Sequence, residues 1–506
     1  MFFKLDSFVL IGIDARKVTI EIHLSRGLPG LHIVGLPGKA INEARQRVRS
    51  AILNSGYEFP IKKIIINLSP ADIRKEGSLY DLPIALAILA ASGQVNSECF
   101  NDSCFIGELS LDGRINPVRG LISMTEEAVK LKKKYFFVPG ANVEQASFFK
   151  EIDMIACTTL KETIKIIDSE SPGKNAYKKS CQEILKNNSY KIDISEVKGQ
   201  FKAKRAFELA AVGMHNILLI GPPGSGKTML ASRIVSIMPA LDLEQCIEVT
   251  KIQSLCNEPG NTIITDRPFK NPHHTISRAG LIGGGVYPRP GDISLAHRGI
   301  LFLDELSQFP QHLVEDLRQP LENREVVVTR NQQSYCFPSN FMLVLATNPC
   351  HCGFWGDSEN RCRCTERQIK RFWENLSGPI MDRIDIRVFM SRLKEEDYIN
   401  TESGESSEKI RDRVERAISF RENNSKNGKV KYNSEAEPAL INEWLAGDEG
   451  LRKTAFMVGK KFKLSARGLS SIIKVSRSIA DLEGSKNIKD EHVLEAAGYR
   501  AVKVYG

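Results

Sequence analysis

The residues with the clearest chemistry are a glycine-rich run and a few polar residues that end apolar stretches. "NILLIGPPGSGKTML" carries Gly221, Pro222, Pro223, Gly224, Ser225, Gly226, Lys227, Thr228 and Met229 between an apolar run and a helix-forming one. In the spacing Gly-x-x-x-x-Gly-Lys-Thr, backbone N–H groups curl around an anion and a helix N-terminus adds partial positive charge. Lys227 can then reach the outer phosphates of ATP, and Thr228 offers a hydroxyl to Mg²⁺. "GILFLDEL" ends in Asp304, suited to bind Mg²⁺ directly or through water, and Glu305, suited to polarise an attacking water. The plainer alternative is two solvated acids after a buried strand. Asn348 ends a third apolar run, "NFMLVLATN", where an amide can orient that water. Arg383 in "GPIMDRIDIRV" suits transition-state charge, often on a neighbouring subunit's nucleotide, or else a surface pair with Asp382 or Asp385. Arg467 in "LSARGLSS" suits either a γ-phosphate or a helix end.

Directly after Asn348 the chain gathers thiols, as Cys350-x-Cys352 and Cys362-x-Cys364. Gly353, Gly356, Asp357, Ser358 and Asn360 let the loop between them turn. Four thiolates suit a tetrahedral, structural zinc site with no open position for water. The C-x-C pairs are tighter than the usual C-x-x-C, and His351 can stand in for one thiol. The alternative is redox-sensitive or idle cysteines. Cys99, Cys157 and Cys246 are scattered and read as small core residues.

These groups need a framework. At 506 residues the chain exceeds one core, and about three domains are expected. A hydrophobic content of 42% with 26% charged residues is that of a globular protein. No run of about twenty apolar residues is present, so no membrane span is expected. The start "MFFKLDSFVLIGIDARKVTIEIHL" alternates like strands and lacks the form of a signal peptide, which points to the cytoplasm. Eleven cysteines there read as thiols or metal ligands. A net charge of +9 permits nucleic acid as a partner without demanding it. The patterning predicts an α/β multidomain chain. A first α/β domain spans 1–168, with "KKIIINLSP" a buried strand and "YDLPIALAILAASG" an apolar helix ending at glycine. A polar linker follows over 169–192. A nucleotide-binding α/β core covers 193–390, including the cysteine-rich loop 350–364. A charged helical region covers 391–506, with a polar insertion in its first helix.

At these motifs the sequence resembles AAA+ ATPases, and more narrowly the magnesium-chelatase-like YifB/ComM family. The resemblance covers nearly the whole chain. It is carried by "GLPGLHIVGLPGKAINEARQRVRSAI", "NLSPADIRKEGSLYDLPIALAIL", "RPFKNPHHTISRAGLIGGG", "YPRPGDISLAHRGILFLDEL" and "TNPCHCG". It implies a hexameric ring with ATP at subunit interfaces and a helical C-terminal lid. It also implies sensor-1, arginine-finger and sensor-2 roles for Asn348, Arg383 and Arg467. ComM-type members are associated with natural transformation, as helicases that drive branch migration. The first domain also resembles the proteolytic domain of Lon through "IGELSLDGRINPVRGLISMTEEAVKLKKKYFFVPGANVEQA". Lon chemistry needs a serine activated by a lysine. The serine position falls near Asp81 and the lysine position near Ile122–Met124, so the resemblance implies a retained fold without the peptidase. Ser78 and Lys130 lie nearby in sequence at the wrong positions.

Two segments are candidates to touch DNA. "DRPFKNPHHTISRAGLIGGGVYPRPGDISLAHRG" is rich in turn-formers, and Lys270, His273, His274 and Arg278 can face a phosphate backbone. Paired histidines that merely bond neighbouring groups are the alternative. "REVVVTRNQQSYCFP" reads as a hairpin with Arg330 at its tip. In the chelatase-like branch such a hairpin points into the ring's pore, where Arg330 would track a strand. The leading expectation is a ring-forming, Mg²⁺-dependent ATPase that moves on single-stranded or branched DNA. Its rivals are a magnesium-chelatase motor subunit, a Lon-like ATP-dependent protease or unfoldase, and an ATP-gated scaffold with little turnover.

Overall fold

The structure, a computed structural model, describes residues 1–146, 148–169, 172–177, 192–256, 263–285, 288–330, 333–357, 359–376, 378–392, 404–424 and 431–500. It forms two compact units, each assembled from separate stretches of chain. Of the linker expected over 169–192, residues 172–177 belong to the first unit, where the Tyr177 N–H donates to the Met154 carbonyl at 2.8 Å. The segments 170–171 and 178–191 lie outside the described residues, as does 393–403, which holds the polar insertion expected in the C-terminal region.

The first unit is built on a seven-stranded sheet. Its strand order is Gly30–Val34, Lys63–Ser69, Asp14–Ser25, Phe2–Ile11, Ser103–Phe105, Tyr135–Pro139, Asp153–Cys157. Phe2–Ile11 and Asp14–Ser25 pair antiparallel down to Ile11 and Asp14, with Gly12 at φ 63 in the turn. A positive φ at the first turn residue gives a two-residue hairpin loop the twist of its strands. Val18, Ile20, Ile22 and Leu24 point into the core at alternate positions, as the sequence pattern requires. The helix Asp81–Ala91 is apolar all round and buried accordingly. Cys157 and Cys246 are buried core thiols, whereas Cys99 is partly exposed.

The positions at which the Lon resemblance would require a serine and a lysine hold other chemistry. Asp81 is sealed at the start of its helix, where Arg47 donates Nε at 2.7 Å and Nη2 at 3.1 Å to its carboxylate. Burial pushes the Asp81 carboxyl up to about 6 against the pull of Arg47. Ile122, Ser123 and Met124 are buried in the helix Leu121–Lys130, where the Ser123 hydroxyl donates to the Ile13 carbonyl at 2.5 Å. Lys130 is exposed on the last turn of that helix, and the Ser78 hydroxyl donates to the Glu108 carboxylate. The segment 242–265 also belongs to this unit; its Lys251 ammonium sits 3.1 Å from Asp14 and 2.7 Å from Glu126.

The second unit holds a five-stranded parallel sheet in the order Phe269–Lys270, Ile300–Leu303, Met342–Thr347, Ile217–Ile220, Ile386–Phe389. Its inner strands are continuous apolar runs, because both faces are covered. The C-terminal helices Ser407–Asn424, Ala466–Leu482 and Asp490–Arg500 share one hydrophobic core with this sheet, through Val414, Ile472, Ile479 and Val493. A buried polar chain also ties helix to sheet. His215 Nε2 lies 2.8 Å from Ser478 Oγ and its Nδ1 lies 3.4 Å from Asp385. Asp385 in turn accepts from Ser471 at 2.6 Å. The Ser–His–Asp order resembles a nucleophilic triad, yet the imidazole is 0% exposed, so no substrate reaches it and the chain is structural. The strands Glu325–Arg330 and Gln333–Pro338 form the expected hairpin, of which 329–337 belongs to the first unit.

Candidate active site

In an open parallel sheet, ligands sit beyond the carboxyl ends of the strands, where loops can present polar groups without leaving core backbone unpaired. Here the strand Ile217–Ile220 runs into the glycine-rich loop and the helix Lys227–Arg233. Gly221 tolerates no side chain: a Cβ would stand 2.3 Å from the Met390 carbonyl oxygen. Gly224 and Gly226 take φ 78 and 85, the left-handed region that turns successive N–H groups inward. Lys227 is nearly buried, its ammonium on the Gly221 carbonyl at 2.7 Å, the Pro222 carbonyl at 3.0 Å and Asn348 Oδ1 at 3.4 Å. Burial lowers its pKa to about 8, against the opposing pull of Asp304 and Glu305. Among the described residues no carboxylate forms an ion pair with this ammonium, and an anion at the loop would supply one. Among the described residues the buried Ser225 Oγ has no hydrogen-bond partner, a further orphaned group in the cradle.

The metal-binding candidates also meet. Thr228 Oγ1 donates to Asp304 Oδ2 at 2.6 Å, so a hydroxyl from the first turn of the helix Lys227–Arg233 and a carboxylate from a strand end converge. Asp304 Oδ1 accepts the Glu305 N–H at 2.8 Å. Glu305 itself is exposed at φ 49, a left-handed conformation that costs a non-glycine residue about 1–3 kcal/mol. This oxygen-donor set fits a magnesium nucleotide. Met229, at the base of the loop, is exposed. Sequence reasoning missed two neighbours of the loop. Gln200, at φ 52, donates Nε2 to the Ser225 carbonyl at 3.2 Å and the Ser391 carbonyl at 2.7 Å. Arg392 donates to the Pro223 carbonyl at 3.1 Å. Neither stands in a recognisable spacing.

Arg383 and Arg467 come together away from the phosphate loop. Both donate to Glu322: Arg467 at 2.8 Å, and Arg383 through Nη2 while its Nη1 bonds the Pro379 carbonyl. Arg383 is 8% exposed. Neither Asp382 nor Asp385 is its partner, so the surface pair weighed from sequence is replaced by Glu322. Arg467 follows Ser465, whose hydroxyl caps the helix Ala466–Leu482.

The four cysteine sulfurs lie within 4.8 Å of one another. The separations are 3.4 Å for Cys350–Cys352, 3.7 Å for Cys350–Cys362 and 3.5 Å for Cys352–Cys362. A tetrahedral site with Zn–S of about 2.3 Å has S–S edges of about 3.8 Å. Burial raises the thiols of Cys362 and Cys364. At Cys352 burial is outweighed by hydrogen bonds, first from the backbone of Phe354 and Arg363, and the thiol falls to about 6. The donor set fits zinc. His351 stands outside the cluster, its ring edge-on to Phe372 at 5.0 Å.

The candidate DNA-contact residues have different surroundings. Lys270 is half-buried in an edge strand. The His273 and His274 ring centroids lie 4.0 Å apart at a 35° tilt, and His273 Nδ1 bonds Thr275 Oγ1 at 2.9 Å. Arg278 is held by Asp316 at 2.7 and 2.9 Å. Arg330 is exposed at the end of its strand, and 331–332 at the hairpin tip lie outside the described residues.

A phosphate loop at the end of an inner parallel strand, an acidic strand end beside it and a helical region sharing its core define an AAA+-type ATPase. The comparisons with known proteins agree. The magnesium chelatase, subunit ChlI, family matches residues 193–398; subunit ChlI of Mg-chelatase matches 20–142, and its C-terminal family matches 404–500. The competence protein ComM of Haemophilus influenzae is 38% identical over 506 residues, covering 97% of this chain and 96% of that protein. The YifB protein of Escherichia coli is 39% identical over 503 residues, covering 97% and 96%. The magnesium-chelatase 38 kDa subunit of Cereibacter sphaeroides is 27% identical over 173 residues, covering 31% of this chain and 52% of that one. The chain belongs to the magnesium-chelatase-like YifB/ComM family. Among the described residues, no helix is long and apolar enough to cross a membrane.

Proposed function

We infer that this protein is a Mg²⁺-dependent ATP hydrolase that assembles into a hexameric ring in the cytoplasm and moves on single-stranded or branched DNA. Its proposed role is that of a ComM-type helicase promoting branch migration during transformation or recombination. The observation that carries the DNA reading is similarity to a competence protein across 97% of the chain, against 31% for the chelatase subunit. Bound Mg²⁺ would be held by Thr228 and Asp304 and would neutralise charge on the phosphates. Lys227 and the loop N–H groups hold the phosphates, Asn348 orients the attacking water and Glu305 takes its proton. Arg383 stabilises the transition state on a neighbouring subunit, and Arg467 reads the γ-phosphate.

Steady-state ATPase at low salt, with and without single-stranded and branched DNA, tests this. Several-fold stimulation that fades with added salt is expected, with Glu305→Gln as the blank. Robust hydrolysis indifferent to DNA would return the chain to the chelatase or unfoldase readings. Lys227→Ala is expected to abolish nucleotide binding in a direct titration, since it removes the ammonium that faces the cradle. Normal ATP affinity in that variant would sink the site.

The Lon-like domain serves assembly or nucleic-acid contact in this reading. An Asp81–Arg47 ion pair stands where a nucleophile would be required, and degradation of casein would refute the loss of peptidase chemistry. The cysteine cluster holds structural zinc. Elemental analysis of protein purified without chelators is expected to give about one equivalent per chain, and less than about a quarter would exclude the site.

A further inference from the structure

The cysteine module carries cations that nothing in its own neighbourhood uses. Arg361, Arg363, Arg367 and Arg371 are all exposed, and none of their side chains has an ion-pair or hydrogen-bond partner among the described residues. The acids nearby are engaged elsewhere or placed for another purpose. Glu359 faces Arg392 at 3.6 Å and Glu374 faces Lys370 at 3.9 Å. Asp357 accepts the N–H of Glu359 at 2.8 Å. Glu366 sits in the first turn of the helix Glu366–Asn375, where it complements the helix dipole.

The helix gives this charge a direction. Its Ile369, Phe372 and Trp373 are buried. At 3.6 residues per turn, Arg367 and Arg371 lie one turn apart on the opposite, solvent face. Thr365 caps the helix directly after Cys364, so the thiol cluster fixes where that face begins. On the loop, Arg361 and Arg363 line a concavity with Phe354, Asn360, Cys352 and Cys362. An aromatic ring, an amide and two guanidiniums around a hollow form a stacking and phosphate-binding combination. Four thiolates with Zn²⁺ carry a net charge of about −2, which two arginines would offset; the remaining cations have no such use.

We propose that the cysteine module is a nucleic-acid interface, with Arg361, Arg363, Arg367 and Arg371 on the phosphate backbone and Phe354 available to stack on a base. The inference rests on the DNA-motor reading and adds a binding face whose arginines, unlike Arg278 with Asp316, have no ion-pair partner among the described residues. The module also adjoins the ATP site: a Cβ on Gly353 would stand 3.0 Å from Pro223 of the phosphate loop. Nucleic acid on this face would therefore press on the element that holds nucleotide.

The test is fluorescence anisotropy of a labelled oligothymidylate with the full-length chain and a slowly hydrolysed ATP analogue, across a range of salt. Arg367→Glu/Arg371→Glu is expected to weaken binding at least about tenfold and to lower the salt slope by about 1.4, because two phosphates of a single strand are no longer neutralised. Arg367→Gln/Arg371→Gln, which introduces no repulsive charge, is expected to show the same slope change, with folding checked by circular dichroism. Unchanged affinity and slope in both variants would overturn the proposal while leaving the DNA reading intact. Unchanged DNA binding with loss of polyglutamate binding would assign the face to an acidic protein and overturn it too. A wild-type chain that binds no oligonucleotide would remove the DNA reading itself, and this proposal with it.

Discussion

Glu305→Gln is expected to bind ATP as the wild type does and to hydrolyse it at least about a hundredfold more slowly. The reason lies in the turn after the strand Ile300–Leu303. Asp304 uses one carboxylate oxygen to accept the Glu305 N–H at 2.8 Å and the other to hold Thr228 at 2.6 Å. That division fixes the acid at the strand end and forces the next residue to φ 49. A strained, exposed carboxylate next to a phosphate cradle has no packing purpose, since it buries nothing. Glutamine keeps the shape and the turn but cannot take a proton from water. Binding is measured by titration of a fluorescent nucleotide and turnover by phosphate release. Wild-type turnover would remove Glu305 as the base, and loss of binding would mean that the carboxylate serves the metal instead.

What the sequence revealed and what it concealed divide along a physical line. The phosphate loop, the apolar strands and the hairpin 325–338 depend on local spacing, so they could be read residue by residue. The four thiols were legible as pairs; that His351 stands aside needed the packing of its ring on Phe372. Partners distant in sequence left no local trace. Glu322 lies 61 residues before Arg383 and 145 before Arg467, in an ordinary helical stretch. Arg47 and Asp81 are 34 apart, and nothing in either segment predicts that a buried ion pair fills the position expected of a serine. The same holds for 242–265 and 329–337, which interrupt the nucleotide-binding stretch yet pack with the first unit. Arg278 is a further case: its turn-rich loop gives no hint of Asp316, 38 residues on, with which it pairs on the helix Gln311–Asp316.

Arg383→Ala is expected to lower turnover in the assembled ring by at least about a thousandfold, the scale at which a trans-acting guanidinium contributes. ATP binding to the separated chain should be unchanged, because among the described residues the Arg383 side chain bonds Glu322 and Pro379 and no phosphate-loop residue. The geometry permits two roles. Arg383 is nearly buried, its Nε lacks a partner and its acid is shared with Arg467, so it could simply tie strand to helix. Alternatively Glu322 holds both guanidiniums at the interface until a neighbour's nucleotide draws them away; a shared carboxylate oxygen is a weaker anchor for each than one of its own. Mixing separates the two. Arg383→Ala subunits retain Glu305, and Glu305→Gln subunits retain Arg383. A ring containing both presents some interfaces with an intact pair, and turnover should recover there although neither variant hydrolyses ATP alone. A structural tie predicts the opposite: no recovery on mixing, and the same defect from Glu322→Gln, which breaks the pair without touching either arginine. Failure to recover in rings shown to contain both variants would therefore assign Arg383 to the fold and require another residue to act on the neighbour's phosphate.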